Sequence, residues 1–191
     1  LGLAFNEEDG LEYDQGWQGN GQFIFVITDE WNGAGDHGGD YEGDDYEEFD
    51  VDLTFMPYSN PLLYNQTYVG RGDATAIRLH NGGAVRMYNS LFLNFGLGID
   101  FEDQDPCDAW ELLLFGETVI HNNRFWAIGD SSGMAELILY NEGFVWNGQE
   151  SVEAHFVNEG NAVVDPVCDY LFESDGGHIT NPIHLSIGND T

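Results

Sequence analysis

One six-residue phrase returns along the chain: an apolar residue, an aromatic or His, an Asn, two variable residues and an aromatic. It reads Leu63-Tyr64-Asn65-Gln66-Thr67-Tyr68, then Met87-Tyr88-Asn89-Ser90-Leu91-Phe92, then Ile120-His121-Asn122-Asn123-Arg124-Phe125. The copies begin at positions 63, 87 and 120. Spacing of this kind belongs to a coil that returns to the same place once per turn, with a loop inserted in the longer turn. Asn suits a point where each turn bends sharply, because it tolerates the left-handed conformation and its amide can stack on that of the next turn. Weaker echoes stand at Ala4-Phe5-Asn6, Leu139-Tyr140-Asn141 and Phe156-Val157-Asn158.

The rest of the chain agrees with short strands and turns. Strands are expected near 3–5, 11–14, 22–28, 62–69, 76–80, 84–95, 98–101, 112–115, 118–126, 135–140 and 144–146, and again near 152–157, 162–164 and 183–187. No stretch sustains helical apolar periodicity beyond a turn or two, so the fold class is all-β. The Asn repeat selects a β-solenoid, while strand spacing alone would also allow a β-sandwich or jelly roll. The 191 residues, 42% of them hydrophobic, suffice for a single domain spanning 1–191. Within it, residues 29–56 read as an acidic, Gly-rich insertion and 147–191 as an irregular end segment. The opening Leu1-Gly2-Leu3-Ala4-Phe5 resembles the inside of a rung and not a polar cap, so the expectation is a piece of a longer chain.

Charge narrows function. There are 35 acidic residues against 4 basic ones, a formal net charge of −31, and all four basic residues are Arg (Arg71, Arg78, Arg86, Arg124). Such a surface repels nucleic acid and anionic lipid, and no apolar run is long enough for membrane insertion. Self-repulsion at this density favours bound cations or a saline, halophilic setting, and the loss of Lys with Arg retained points to an extracellular or saline setting.

The densest carboxylate run is Asp36 to Glu47. Counted from Asp36, acids fall at positions 1, 5, 7, 9 and 12 (Asp36, Asp40, Glu42, Asp44, Glu47), a density of hard oxygen donors that suits Ca²⁺. It is not an EF-hand, since Tyr41 occupies the position where the turn needs Gly. A second acidic group, Glu8, Asp9, Glu12 and Asp14, beside Glu7, sits at a predicted turn and strand, with Glu12 and Asp14 expected on one face. Paired carboxylates there could also serve a glycosidase. Arg78 is the one candidate base for a Ca²⁺-assisted lyase, although the acidic surface would repel a polyuronate. The six His residues show no metal-ligand spacing, and Ser131-Ser132-Gly133 lacks a partner His, so no catalytic residue is assigned. Cys107 and Cys168 lie in similar Asp-Pro contexts that suit a disulfide between neighbouring turns; free thiols are the alternative.

The segment Asn6-Glu7-Glu8-Asp9-Gly10-Leu11-Glu12-Tyr13-Asp14-Gln15-Gly16-Trp17, the strand from Gln22-Phe23, and Pro61-Leu62-Leu63-Tyr64-Asn65-Gln66-Thr67-Tyr68-Val69-Gly70 resemble the late rungs of secreted right-handed parallel β-helix proteins on bacterial surfaces. The resemblance covers about residues 3–130 and continues through Ala76-Ile77-Arg78-Leu79-His80 and Phe95-Gly96-Leu97-Gly98-Ile99-Asp100. It implies secretion and surface display without supplying a reaction. The expected function is therefore a structural or adhesive β-helix, Ca²⁺-stabilised and able to self-assemble through its ends, with the rest of a parent chain, neighbouring subunits or a glycan as partners. The alternative is a polysaccharide-active enzyme, lyase or glycosidase, on the same scaffold.

Overall fold

The computed structural model describes residues 2–4, 9–28, 36–43, 58–70, 72–102, 109–130, 133–139, 151–165, 173–175 and 178–181. Its strands recur in a fixed order of three. Sheet A contains β1 (Gly2–Ala4), β4 (Phe25–Ile27), β7 (Thr67–Val69), β10 (Leu91–Phe95), β13 (Arg124–Ile128) and β15 (Ala162–Val163). Sheet B contains β2 (Leu11–Tyr13), β5 (His37–Glu42), β8 (Thr75–His80), β11 (Leu97–Phe101) and β14 (Ile138–Leu139). Sheet C contains β3 (Asn20–Gln22), β6 (Leu62–Tyr64), β9 (Arg86–Tyr88) and β12 (Val119–His121). Every pairing in these three sheets is parallel, which is the architecture of a parallel β-helix. A sandwich or jelly roll, built on antiparallel pairs, is thereby excluded. One antiparallel pair, β16 (Glu173–Asp175) with β17 (His178–Asn181), lies outside the coil's three sheets.

The repeated Asn stands where it was expected to bend the chain. Between sheets C and A, Asn65, Asn89 and Asn122 have φ of 52°, 54° and 55°, and Phe23 takes the same place in the first turn at 56°. The expected strands at 62–69, 84–95 and 118–126 are each folded at this corner into two short ones. Asn122 Nδ2 donates to Asn89 Oδ1 at 2.6 Å, so the outer amides stack.

The next residue at each corner points inward and forms a second, buried ladder. Gln66 N–H donates to Ser90 Oγ, Ser90 N–H to Asn123 Oδ1, and Asn123 N–H to Asn161 Oδ1 (3.2, 2.8 and 3.0 Å). Asn161 Nδ2 then donates to the carbonyls of Ile120 and Phe156. Backbone groups that a sharp corner leaves without a strand partner are in this way satisfied by side chains of the next turn.

Columns of like residues fill the interior. Val26, Tyr68, Phe92 and Phe125 are in register in sheet A, with ring centroids 5.1 Å (Tyr68–Phe92) and 5.0 Å (Phe92–Phe125) apart. Tyr13 and Tyr41 stack at 4.5 Å in sheet B. These separations match the distance between neighbouring strands, so one lattice sets both backbone and side-chain contacts. The buried hydroxyls are paired: Tyr13 OH donates to the Ala84 carbonyl, Tyr41 and Tyr68 share a 2.9 Å bond, and Tyr68 donates to Gln66 Oε1. Burial pushes all three phenol pKa values up.

Three segments expected as strands are wholly or partly helical: α1 (Ala109–Leu114), α2 (Met134–Leu137) and α3 (Val152–Asn158). In α1, Trp110 and Leu113 are three apart and both buried, a helical and not an alternating pattern. Only Ile138–Leu139 of the expected strand 135–140 is extended, following α2. In α3, Ser151 caps the N-terminus by accepting from Ala154 N, and Phe156 is buried beside Phe101. The echo Phe156-Val157-Asn158 is therefore the end of a helix and not a corner. Residues of the other two echoes, Phe5-Asn6 and Tyr140-Asn141, lie outside the described residues, as do the expected strands 144–146 and 183–187.

The corner geometry gives a direct test. Asn89→Ala places a Cβ residue without a local amide in the left-handed region and should destabilise by about 1–2 kcal/mol in urea unfolding. Asn89→Gly should lose clearly less, because glycine keeps φ; equal losses would assign the corner's contribution to the amide stack.

Candidate functional site

The outward side of sheet B gathers charges from four successive turns. Register places Glu12, Asp40, Arg78 and Asp100 in one column. Beside it, Glu42 is level with His80, and Glu102 follows β11 at the same edge. A phrase the Asn repeat does not contain encodes this surface: Gly10-Leu11-Glu12-Tyr13-Asp14, Gly38-Gly39-Asp40-Tyr41-Glu42, Ala76-Ile77-Arg78-Leu79-His80 and Gly98-Ile99-Asp100-Phe101-Glu102. It runs small, mostly apolar, charged, bulky, charged, with the bulky residue turned inward and buried at Tyr13, Tyr41, Leu79 and Phe101. Aligning these four segments is the signal that would have found the site.

The charges are paired from turn to turn. His37 Nδ1 lies 3.0 Å from Asp9 Oδ1, which also accepts from the His37 backbone N–H at 2.9 Å. Arg78 Nη2 donates to Glu102 Oε2 at 2.6 Å, and its Nη1 lies 4.0 Å from Asp40 Oδ2. His80 Nε2 stands 3.0 Å from Asp40 Oδ1 without the alignment of a regular hydrogen bond, and its Nδ1 is 3.6 Å from Glu102 Oε2. Asn81 Nδ2 donates to Glu42 Oε1.

These contacts shift the titrations. Burial would pull the His37 imidazole down, but the hydrogen bond and charge of Asp9, with Asp40 behind, outweigh it and raise its pKa. Burial would raise Asp40, yet His80, then His37 and Arg78, hold its carboxyl below the usual range. Asp100 is raised, by burial first and then by the charge of Glu102. For Arg78 burial works against the charge, but Glu102 and Asp40 overcome it and raise the pKa further.

Of the metal ligands expected from sequence, the fold brings two together. Asp9 and Asp40, with His37, have ligand atoms within 4.8 Å of one another, a group that could hold a metal ion. His37 was not among the expected ligands, because no His spacing marks it within one turn. The twelve-residue loop expected from Asp36 is not a loop in its first half, where residues 37–42 form β5 and Tyr41 is fully buried. Asp36, Glu42, Glu12 and Asp14 join no metal-competent group among the described residues. Glu8, Asp44 and Glu47, like Cys107 and Cys168, lie outside the described residues.

Residues 2–158 match the family model described as a pectate-lyase like beta helix domain. Searches of curated proteins and of solved structures return no match.

The shifted groups predict opposite pH responses, measured by thermal unfolding in EDTA. The contribution of His37 is fully present below its ordinary value of 6.5 and is lost as pH rises through the raised folded value. That of Asp40 is present above 3.8 and is lost as pH falls through the depressed value. Asp100 folds more readily when protonated, so Asp100→Asn should raise the unfolding temperature at pH 7, while Asp40→Asn should lower it. The same direction of change in both would show that this charge column does not set the titrations.

Proposed function

The chain belongs to the pectate-lyase-like β-helix family, and on that premise we propose that it is an extracellular structural or adhesive element of a cell surface, not a turnover enzyme. The observation that carries this reading is the engagement of Arg78. A lyase base must give up a proton near neutral pH, whereas this guanidinium is held between Glu102 and Asp40 and its pKa is raised. Its visible work is to join the third turn to the second and fourth. The same holds for His37 and His80, each set against a carboxylate of another turn. A net charge of −31 suits a surface that stays dispersed in an ion-rich medium. Ca²⁺, the cation expected from sequence, is a weak match for the Asp9–His37–Asp40 group, because hard Ca²⁺ takes oxygen donors and one donor here is imidazole.

One feature favours the second reading, a glycosidase. Asp40 is depressed and Asp100 raised, and they occupy one column on either side of Arg78. Two strand spacings separate their backbones by roughly 9.5 Å, at the wide end of the about 6.5–9.5 Å between carboxyl groups in inverting glycosidases.

The two readings part in one experiment. Wild type and Arg78→Gln are incubated with a panel of neutral and acidic polysaccharides, with reducing ends and unsaturated uronate as readouts. We expect no product from either protein and a lower unfolding temperature for Arg78→Gln. Product from the wild type that Asp100→Asn or Arg78→Gln abolishes, with the fold retained, would replace the structural reading with an enzymatic one.

A further inference from the structure

We propose that Asp9, His37 and Asp40 form a binding site for one borderline transition-metal ion, of the Zn²⁺ class, which clamps the first turn of the coil to the second. The ligands come from both turns: Asp9 from the segment entering β2, and His37 and Asp40 from β5, the strand paired with it. Ions bound at about 2.0–2.2 Å place adjacent ligand atoms roughly 3.0–3.5 Å apart. The 3.0 Å between Asp9 Oδ1 and His37 Nδ1 is such a separation, now spanned by a hydrogen bond whose proton the ion would displace to solvent. The outer limit of 4.8 Å within the group leaves at most about 1.3–1.8 Å to close, under about 1 Å for each of two side chains that move together.

A second observation separates this group from an ordinary acidic patch. The Asp40 side chain is only 13% exposed, and its Oδ1 has no hydrogen bond of regular geometry although His80 Nε2 stands 3.0 Å from it. Arg78 flanks the other oxygen at 4.0 Å. Ligating carboxylates are held by outer partners of this kind, which fix orientation without filling the metal's own position. Glu102, 2.6 Å from Arg78, offsets the guanidinium charge that would otherwise oppose a cation here.

The donor set decides the class of ion. Two carboxylates and one imidazole fall far short of the 6–8 oxygens of a Ca²⁺ site, whereas three protein ligands with remaining positions for water are a common arrangement for Zn²⁺. Imidazole also favours the borderline ions over Mg²⁺.

This inference stands apart from the structural reading, which a glycan-turnover assay decides without reference to metal. The experiment is a calorimetric titration of Zn²⁺ into the 191-residue chain in about 150 mM NaCl, which screens the diffuse acidic surface, with excess Ca²⁺ present. One tight site per chain is expected, weakened at least about tenfold by His37→Gln or Asp9→Asn. His121→Gln should leave it unchanged, since His121 pairs with Glu159 elsewhere on the coil. Histidine-ring NMR of the wild type covers the case in which a variant fails to fold. Among the six His residues, His37 should shift most with the first equivalent of Zn²⁺, followed by a smaller shift at His80, which faces Asp40. Zn²⁺ binding that Ca²⁺ abolishes, binding indifferent to His37→Gln in a folded variant, or a largest shift at a His other than His37 would overturn the proposal.

Discussion

Register between successive turns is the constraint on which everything else rests. A parallel ladder by itself slides easily, because one residue of slip restores most backbone hydrogen bonds while turning every side chain to the other face. Here the sliding is stopped at the corner between sheets C and A. Gln66, Ser90, Asn123 and Asn161 each engage a backbone or side-chain group of the adjacent turn, and they do so in the dry interior, where an unmatched polar group is costly. The aromatic column of Tyr68, Phe92 and Phe125 lies just beyond that ladder and inherits its alignment.

The charged surface of sheet B inherits it as well. Asp9, His37, Asp40, Arg78, His80, Asp100 and Glu102 span more than ninety positions of sequence, yet the fold compresses them into four neighbouring turns. Each ion pair crosses a rung boundary, so the network resists the separation of turns that would begin unfolding of a solenoid. It also leaves two carboxylates with opposite titration shifts in a single column. A surface so built can serve as a strut, a metal clamp or, with modest change, a place for chemistry on a long substrate lying along the stack.

The helices show where local patterning was overridden. Leu112 to Phe115 is an apolar run of strand length, and Val152 to Val157 carries the β-branched and aromatic residues of a strand. Both lie in connections between strands of the coil, and each buries an aromatic, Trp110 or Phe156, against Phe101. Capping by Ser151 then suffices to fix the start of the second.

The coil itself was legible in Asn65, Asn89 and Asn122, because a left-handed corner admits few residue types and a repeated requirement leaves a repeated letter. The position after each Asn was not legible: Gln66, Ser90 and Asn123 share a role but not a name, since any small polar side chain able to reach the next turn will serve. Acidity and the nomination of Asp9 and Asp40 could be read from composition and local density. Their meeting with His37 could not, because that group is made across turns of unequal length, where separation in sequence carries no information about distance. What the sequence determined by itself was the coil and its charge; the tertiary structure alone decided which charges meet, because insertions of variable length between sheets erase the count from one turn to the next and only strand register restores it.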